Sequence, residues 1–203
     1  MRVDSNDLLN SILESLSRID YIHAKDIPNI ELYMDQVTTF MDAHLSSTKR
    51  YEEDKILTKT MINNYAKNNL LPPPTKKKYS REHLLILTFI YYFKNILAIK
   101  DIETLLKPLT ERYFQTENVL DLTSIYERIC SMEKSQIPAM SEEMKEMFAR
   151  SESMFTDAPE EERKYLQTFS LICSLGFDVY VKKQIIEKLL DELPEFHSTD
   201  FSK

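Results

Sequence analysis

The sequence predicts an all-helical protein, and three observations carry that expectation. One glycine stands among 203 residues, so the left-handed positions on which tight hairpins and phosphate-cradling loops depend are nearly absent. Apolar residues recur every three or four positions along most of the chain, the period of a helix that buries one face. Hydrophobic residues make up 42% and charged residues 29% of the composition, which suits a folded core with a wet surface rather than a disordered chain.

Residues 4–19 place Leu8, Leu9, Ile12, Leu13, Leu16 and Ile19 at helical spacing behind the candidate caps Asp4 and Ser5. After a loop around Pro28, Asn29 can cap a second helix over 30–45, with Ile30, Tyr33, Met34, Val37, Phe40, Met41 and Leu45 on its buried face. Residues 46–57 are polar until Ile56 and Leu57, so they read as a solvated connection that ends at the core. Thr58 is the expected N-cap of a helix over 58–69. Stepping 100° per residue, Met61, Ile62, Tyr65 and Ala66 share one side, whereas Lys59, Thr60, Asn63, Asn64 and Lys67 share the other, without a carboxylate among them.

Leu70 and Leu71 lead into Pro72, Pro73 and Pro74, which lack amide donors and favour extended backbone. Lys76, Lys77, Lys78 and Tyr79 follow. Ser80 then caps a helix with Glu82 and His83 in its first turn, apolar on nearly every side from Leu84 to Leu97 and therefore sandwiched between layers. This run is interrupted by Lys94 and Asn95, too short for the roughly 20 residues of a membrane span. A short helix over 100–106 is expected to stop before Pro108.

Beyond it the pattern stays helical. Val119, Leu120, Leu122, Ile125, Tyr126, Ile129 and Cys130 define one helix before Pro138, and Met140, Met144, Met147 and Phe148 another. Asp157 with Glu160 resembles a capping pair for a helix burying Tyr165, Leu166, Phe169, Ile172 and Cys173. Gly176 stands where that helix would end in a left-handed residue, and Asp178 would cap a last one carrying Ile185, Ile186, Leu189, Leu190 and Leu193. Breaks at Pro138, Pro159 and Gly176 predict a compact bundle.

Charge is segregated. The net charge is −7, but residues 1–54 carry −6, residues 55–107 carry +7 and residues 108–203 carry −8. From Lys55 to Arg81 there are seven Lys or Arg and no Asp or Glu, the footprint of a localised anionic partner. Catalytic signatures are missing. His23, His44, His83 and His197 are scattered, there is no nucleophile elbow, and the acidic runs 52–54 and 160–162 lack the spacing of a calcium loop. Cys130 and Cys173 form no metal-binding pair, and no leader is evident, so the expectation is a cytoplasmic protein that is not an enzyme and takes neither metal nor cofactor.

The polar face of helix 58–67 with the basic loop behind it supplies what duplex DNA needs: lysines for phosphates, asparagines for adenine edges, and a threonine for either. The order Thr58–Leu106 also resembles the MerR-like winged-helix DNA-binding domain. Tyr65 takes the place of the aromatic residue ending its recognition helix. Leu70-Leu71-Pro72-Pro73 takes that of its Leu-Leu-x-Pro segment, Lys77-Lys78-Tyr79 that of its basic wing, and Ile99–Leu106 that of its short following helix. The likeness is closest to an uncharacterised bacterial group with this head and a helical tail.

The resemblance implies a winged helix-turn-helix head over 28–108, preceded by an N-terminal helix and linker over 1–27 and followed by a helical dimerisation or effector bundle over 109–203. It implies a sequence-specific transcription regulator on double-stranded DNA, with Lys59, Thr60, Asn63, Asn64, Lys67, Lys76, Lys77, Lys78, Tyr79 and Arg81 as DNA-binding residues; the apolar stripes of the acidic tail add the expectation of a homodimer held by that tail. Three departures accompany it: the wing has no glycine, the usual short turn is replaced by residues 46–57, and the tail shows no long dimerisation helix. The alternative is a protein-interaction module on the same fold without DNA affinity, recruiting a partner through the Met-rich helix 140–155.

Overall fold

The computed structural model describes residues 5–17, 22–116 and 119–193. Asp4, Ile19 and His197 lie outside them. The described chain is mostly helical, with helices α1 (Ser5–Ser17), α2 (Met34–Leu45), α3 (Lys59–Lys67), α4 (Arg81–Phe93), α5 (Ile99–Tyr113), α6 (Leu122–Glu152) and α7 (Glu160–Asp191). Strand β1 (Leu32–Tyr33) pairs antiparallel with β2 (Lys78–Tyr79), Leu32 opposite Tyr79 and Tyr33 opposite Lys78. Two compact units result, one of residues 22–129 with 186–193, the other of 5–17 with 130–185.

The first unit is organised around α4. Every residue from His83 to Tyr91 is buried, as its all-round apolar pattern demands. The same core holds Val37, Met41 and Leu45 of α2, Ile62 and Tyr65 of α3, Leu70, Leu71, and Ile102 and Leu106 of α5. Each such aliphatic side chain contributes about 1.5–3 kcal/mol when fully buried. The Tyr126 hydroxyl donates to the Ile22 carbonyl at 2.8 Å and so ties the two ends of this unit together. The connection over 46–57 is solvated and ends on buried Ile56 and Leu57. It is fastened to α4 at both ends: Thr48 shares a hydrogen bond with the Tyr91 hydroxyl, and Lys94 Nζ donates to the Ile56 carbonyl at 2.7 Å. A long connection therefore does not set α3 free.

In the second unit, Leu8, Leu9, Ile12, Leu13 and Leu16 of α1 are half-buried while Asn10, Ser11, Glu14 and Ser15 face water. Phe148, Ser151 and Leu171 are buried. A cleft lined by Leu8, Phe148, Gln167 and Leu171 has room for little more than a water molecule.

Several expected boundaries move. Helix α2 starts at Met34 rather than Ile30, because residues 32–33 are drawn into β1, and Ile30 and Tyr33 are exposed instead of core. Its N-terminus is closed not by Asn29 but by Gln36, whose Oε1 accepts from the Tyr33 amide at 2.8 Å. Pro108 lies inside α5 and Pro138 inside α6, so neither ends a helix. A proline strips the carbonyl four residues earlier of its partner, and Thr104 and Lys134 are exposed, where that loss costs less than it would in the core. Val119 and Leu120, expected on a helix, precede α6 and are exposed.

Gly176 is likewise internal to α7 and has no positive φ, so the expected break there is absent and Asp178 caps nothing. It pairs instead with Lys182 one turn on, at 2.7 Å. Nor does Asp157 open α7; the carbonyl of Pro159 takes the first amides, from Glu162 and Arg163 at 3.0 and 2.9 Å. Two uninterrupted helices of 31 and 32 residues thus replace the four short ones expected. No described helix is long and apolar enough to cross a membrane.

Candidate nucleic-acid interface

Helix α3 is fixed at both ends by its own sequence. Thr58 Oγ1 accepts from the Met61 amide at 3.2 Å, the expected N-cap. At the other end Asn69 adopts φ 57, the Leu70 amide reaches back to the Tyr65 carbonyl at 3.0 Å and the Asn69 amide to Ala66 at 3.4 Å. This is a Schellman closure with asparagine in the left-handed place usually given to glycine. It turns Leu70 and Leu71 into the core and starts the proline run outward.

With Ile62 and Tyr65 held inside, Lys59, Thr60, Asn63, Asn64 and Lys67 are all exposed, the division the 100° spacing predicts. Burial also pushes the Tyr65 hydroxyl above its usual titration range.

The basic loop is a tight turn. The Lys78 amide donates to the Thr75 carbonyl at 2.9 Å across Thr75–Lys78, and both central residues, Lys76 and Lys77, have positive φ, 50° and 66°. Two left-handed central residues make this a type I′ turn, whose preferred sequence is Asn-Gly. A left-handed lysine costs roughly 1–2 kcal/mol. The chain accepts that cost twice in succession, and the result is two exposed ammonium groups at the tip.

Lys78 continues into β2, beside β1. There its Nζ lies 3.7 Å from Glu31 and 5.6 Å from the centre of the Tyr33 ring. Lys59 pairs with Asp35 in the first turn of α2. The stretch 55–81 has no acid in sequence, but folding brings two carboxylates to its edge, and only the β1–β2 register and the α2–α3 approach could have shown it. Both pairs are exposed, so each is worth about 0.2–1 kcal/mol. Among the described residues Lys67, Lys76 and Lys77 have no ion pair.

Two of the expected contact residues are committed elsewhere. Tyr79 is buried, its ring edge-on to His83 at 5.4 Å between centroids. Arg81 donates from Nη2 to the Ala24 carbonyl at 2.6 Å, and its Nε is buried without a partner. Its side chain joins the N-terminal segment of this unit to α4 rather than facing outward.

Behind the loop, His83 is buried. The Ser80 amide donates to its Nδ1 at 2.9 Å, which puts the proton of the neutral ring on Nε2, and Phe114 packs edge-on at 4.8 Å. Burial holds the imidazole below its usual titration range. The Pro73 and Pro72 carbonyls and Glu31 oppose that effect, although Nε2 finds no acceptor in hydrogen-bonding geometry. His83 therefore sits under both the proline run and β2. The Glu82 carboxylate, raised mainly by burial, accepts from the Gln115 amide at 2.7 Å. Among the described residues no group of three His, Cys, Asp or Glu side chains is arranged to hold a metal ion.

What the surface can do chemically is bind a polyanion and read polar edges. It projects amides and a hydroxyl from a rigid helix, with ammonium groups at one end and on an adjoining turn. Residues 22–129, which coincide with the main body of the first unit, match a family described as a domain of unknown function, DUF1836. No curated protein and no solved structure matches the chain.

Proposed function

The chain belongs to the DUF1836 family, whose description assigns no activity, and from its geometry we propose that it is a sequence-specific DNA-binding transcription regulator. In this reading α2 and α3 form a helix-turn-helix and the Thr75–Lys78 turn with β1 and β2 its wing, an arrangement similar to the MerR-like head. Helix α3 enters the major groove with Asn63 and Asn64 toward base edges and Thr60 toward base or phosphate. Lys59, Lys67, Lys76, Lys77 and Lys78 hold phosphates, and Tyr79 and Arg81 support the wing from within. Two heads carried on a homodimer would read two half-sites.

The observation that carries the reading is the pair of left-handed lysines at the tip of the turn. A turn selected for folding alone would hold asparagine and glycine, and backbone strain retained on exposed side chains points to a use for those side chains. The absence of an acid on the outward face of α3 agrees with it.

The test is a titration of the full chain with random-sequence duplex between about 50 and 200 mM salt, followed by selection of preferred sites. On the selected duplex five lysine contacts per head predict a log–log salt slope of about −4 to −5 for each head, and selection should enrich one motif. A chain that binds no duplex at the lowest salt, or binds with no enriched motif, would overturn the proposal.

A further inference from the structure

The lone glycine of the chain raises a physical question. Gly176 lies in the middle of α7, with no positive φ, and a Cβ built on it meets nothing within 4 Å. Neither the backbone nor the packing of this chain requires glycine there, yet a mid-helix glycine is less favourable than alanine. The residues around it are informative. Tyr165, Phe169, Ile172, Val179 and Tyr180 fall within about 60° of Gly176 on the helix and are 50% to 69% exposed, a continuous apolar stripe open to solvent. Tyr165 and Phe169 already stack, 6.1 Å between centroids. The stripe ends in Glu162 on one side and Lys183 on the other.

We propose that this stripe of α7 is the surface on which a second copy of the chain packs antiparallel, with Phe169 of each copy seated over Gly176 of the other. The inference deepens the homodimer of the preceding section and says which residues form it. A two-fold axis between Ile172 and Cys173 sets Phe169 opposite Gly176, Tyr165 opposite Tyr180, and Glu162 opposite Lys183. Large meets absent side chain, ring meets ring, and acid meets base. The stripe is thus complementary to itself in the reversed direction, as an isologous interface must be; in the parallel direction each ring would meet its own copy and Glu162 would face Glu162.

Scaling the roughly 150–250 Å² that a buried aromatic side chain covers by these exposures leaves on the order of 600 Å² per copy. Two copies face to face would then bury on the order of 1,200 Å², the lower edge of the range for stable interfaces. Glycine at the crossing allows the two helices to approach closely enough to bury it.

The experiment is sedimentation equilibrium of the full chain, without DNA, beside three variants. G176L should weaken dimerisation at least tenfold while leaving helicity by circular dichroism unchanged, and F169A should do the same. F177A, at a ring even more exposed than Phe169 but about 100° away from Gly176 on the helix, should stay within twofold of the parent. In a C130S background, a short bismaleimide should join Cys173 to Cys173, which the antiparallel register brings to the same face of the helix pair, offset along the helices by about one residue rise, ~1.5 Å.

A chain monomeric at about 100 µM, a dimer indifferent to G176L, or a dimer in which Cys173 does not cross-link would each overturn the proposal. Because no DNA is present, each of those results leaves the DNA reading of the first unit standing, and a chain that dimerises without binding duplex separates the two the other way.

Discussion

Replacing the two left-handed lysines by the residues a type I′ turn prefers should make the protein more stable and a poorer DNA binder. The perturbation is the double substitution Lys76→Asn, Lys77→Gly. Each lysine now sits at positive φ, 50° and 66°, where an ordinary side chain is disfavoured by roughly 1–2 kcal/mol. Asparagine relieves part of that cost, and glycine removes it but returns about 0.5–1 kcal/mol as unfolded-chain entropy.

The net expectation is a gain of about 1–2 kcal/mol. For a unit of this size each kcal/mol moves the melting temperature by about 4 °C, so the shift is easily read by thermal melting. On DNA the same change removes two phosphate contacts and should flatten the log–log salt slope by about 1.8, weakening every duplex alike. Stability and affinity move in opposite directions only if the strain is maintained for the charges. A double variant that melts lower, or that binds with the parental salt slope, would refute the reasoning.

Other outcomes follow from the same geometry. Asn63→Ala, on the exposed face of α3, should cost about 1–3 kcal/mol at the preferred site and relax discrimination there without changing the salt slope, as read by competition between selected and scrambled duplexes. Thr58→Ala removes the acceptor for the Met61 amide and should lower stability by about 0.5–2 kcal/mol in urea unfolding. His83 is held neutral by burial, its folded titration lying below the unfolded value near 6.5. Between the two the unfolded chain binds more protons, so the contribution of His83 is complete above about 6.5 and is lost as pH falls through the folded value. His83→Gln should flatten the urea midpoint against pH in that window, and an unchanged difference from the parent across it would contradict the assignment.

The parts of the fold legible in the sequence are those set by short-range pattern. The sandwiched α4 announced itself because no side of it is polar. The cap at Thr58 and the outward face of α3 followed from spacing alone, and the end of that helix fell within two residues of its expected place. What was not legible depends on partners distant in sequence. Residues 32–33 have a helical pattern, and only pairing with 78–79 makes them a strand.

Pro108, Pro138 and Gly176 are breakers by local preference, but each sits in a long helix whose neighbours continue on both sides, and local cost yields to that continuity. The candidate surface divides the same way. Its lysines and asparagines could be named, whereas the inward turn of Tyr79 and Arg81 and the arrival of Glu31 and Asp35 could not, since these follow from tertiary approach.

Those two carboxylates bear on how the proposed reader would discriminate. Lys59 and Lys78 are already paired in the free protein, so a phosphate gains them only by displacing Asp35 and Glu31. Each exposed pair is worth at most about 1 kcal/mol, so displacement is cheap where helix α3 docks fully, but it is repaid only there. A loosely placed duplex would meet Lys67, Lys76 and Lys77 while the acids still shield the other two. Non-specific affinity is thereby reduced more than specific affinity, and a single head would be a weak binder. Weak heads gain from being linked, because the second contact then forms at the effective concentration set by the link. The self-complementary stripe on α7 would supply that link, and it is why association of the chain and affinity for DNA should rise and fall together when Gly176 is replaced, although the two sites share no residue.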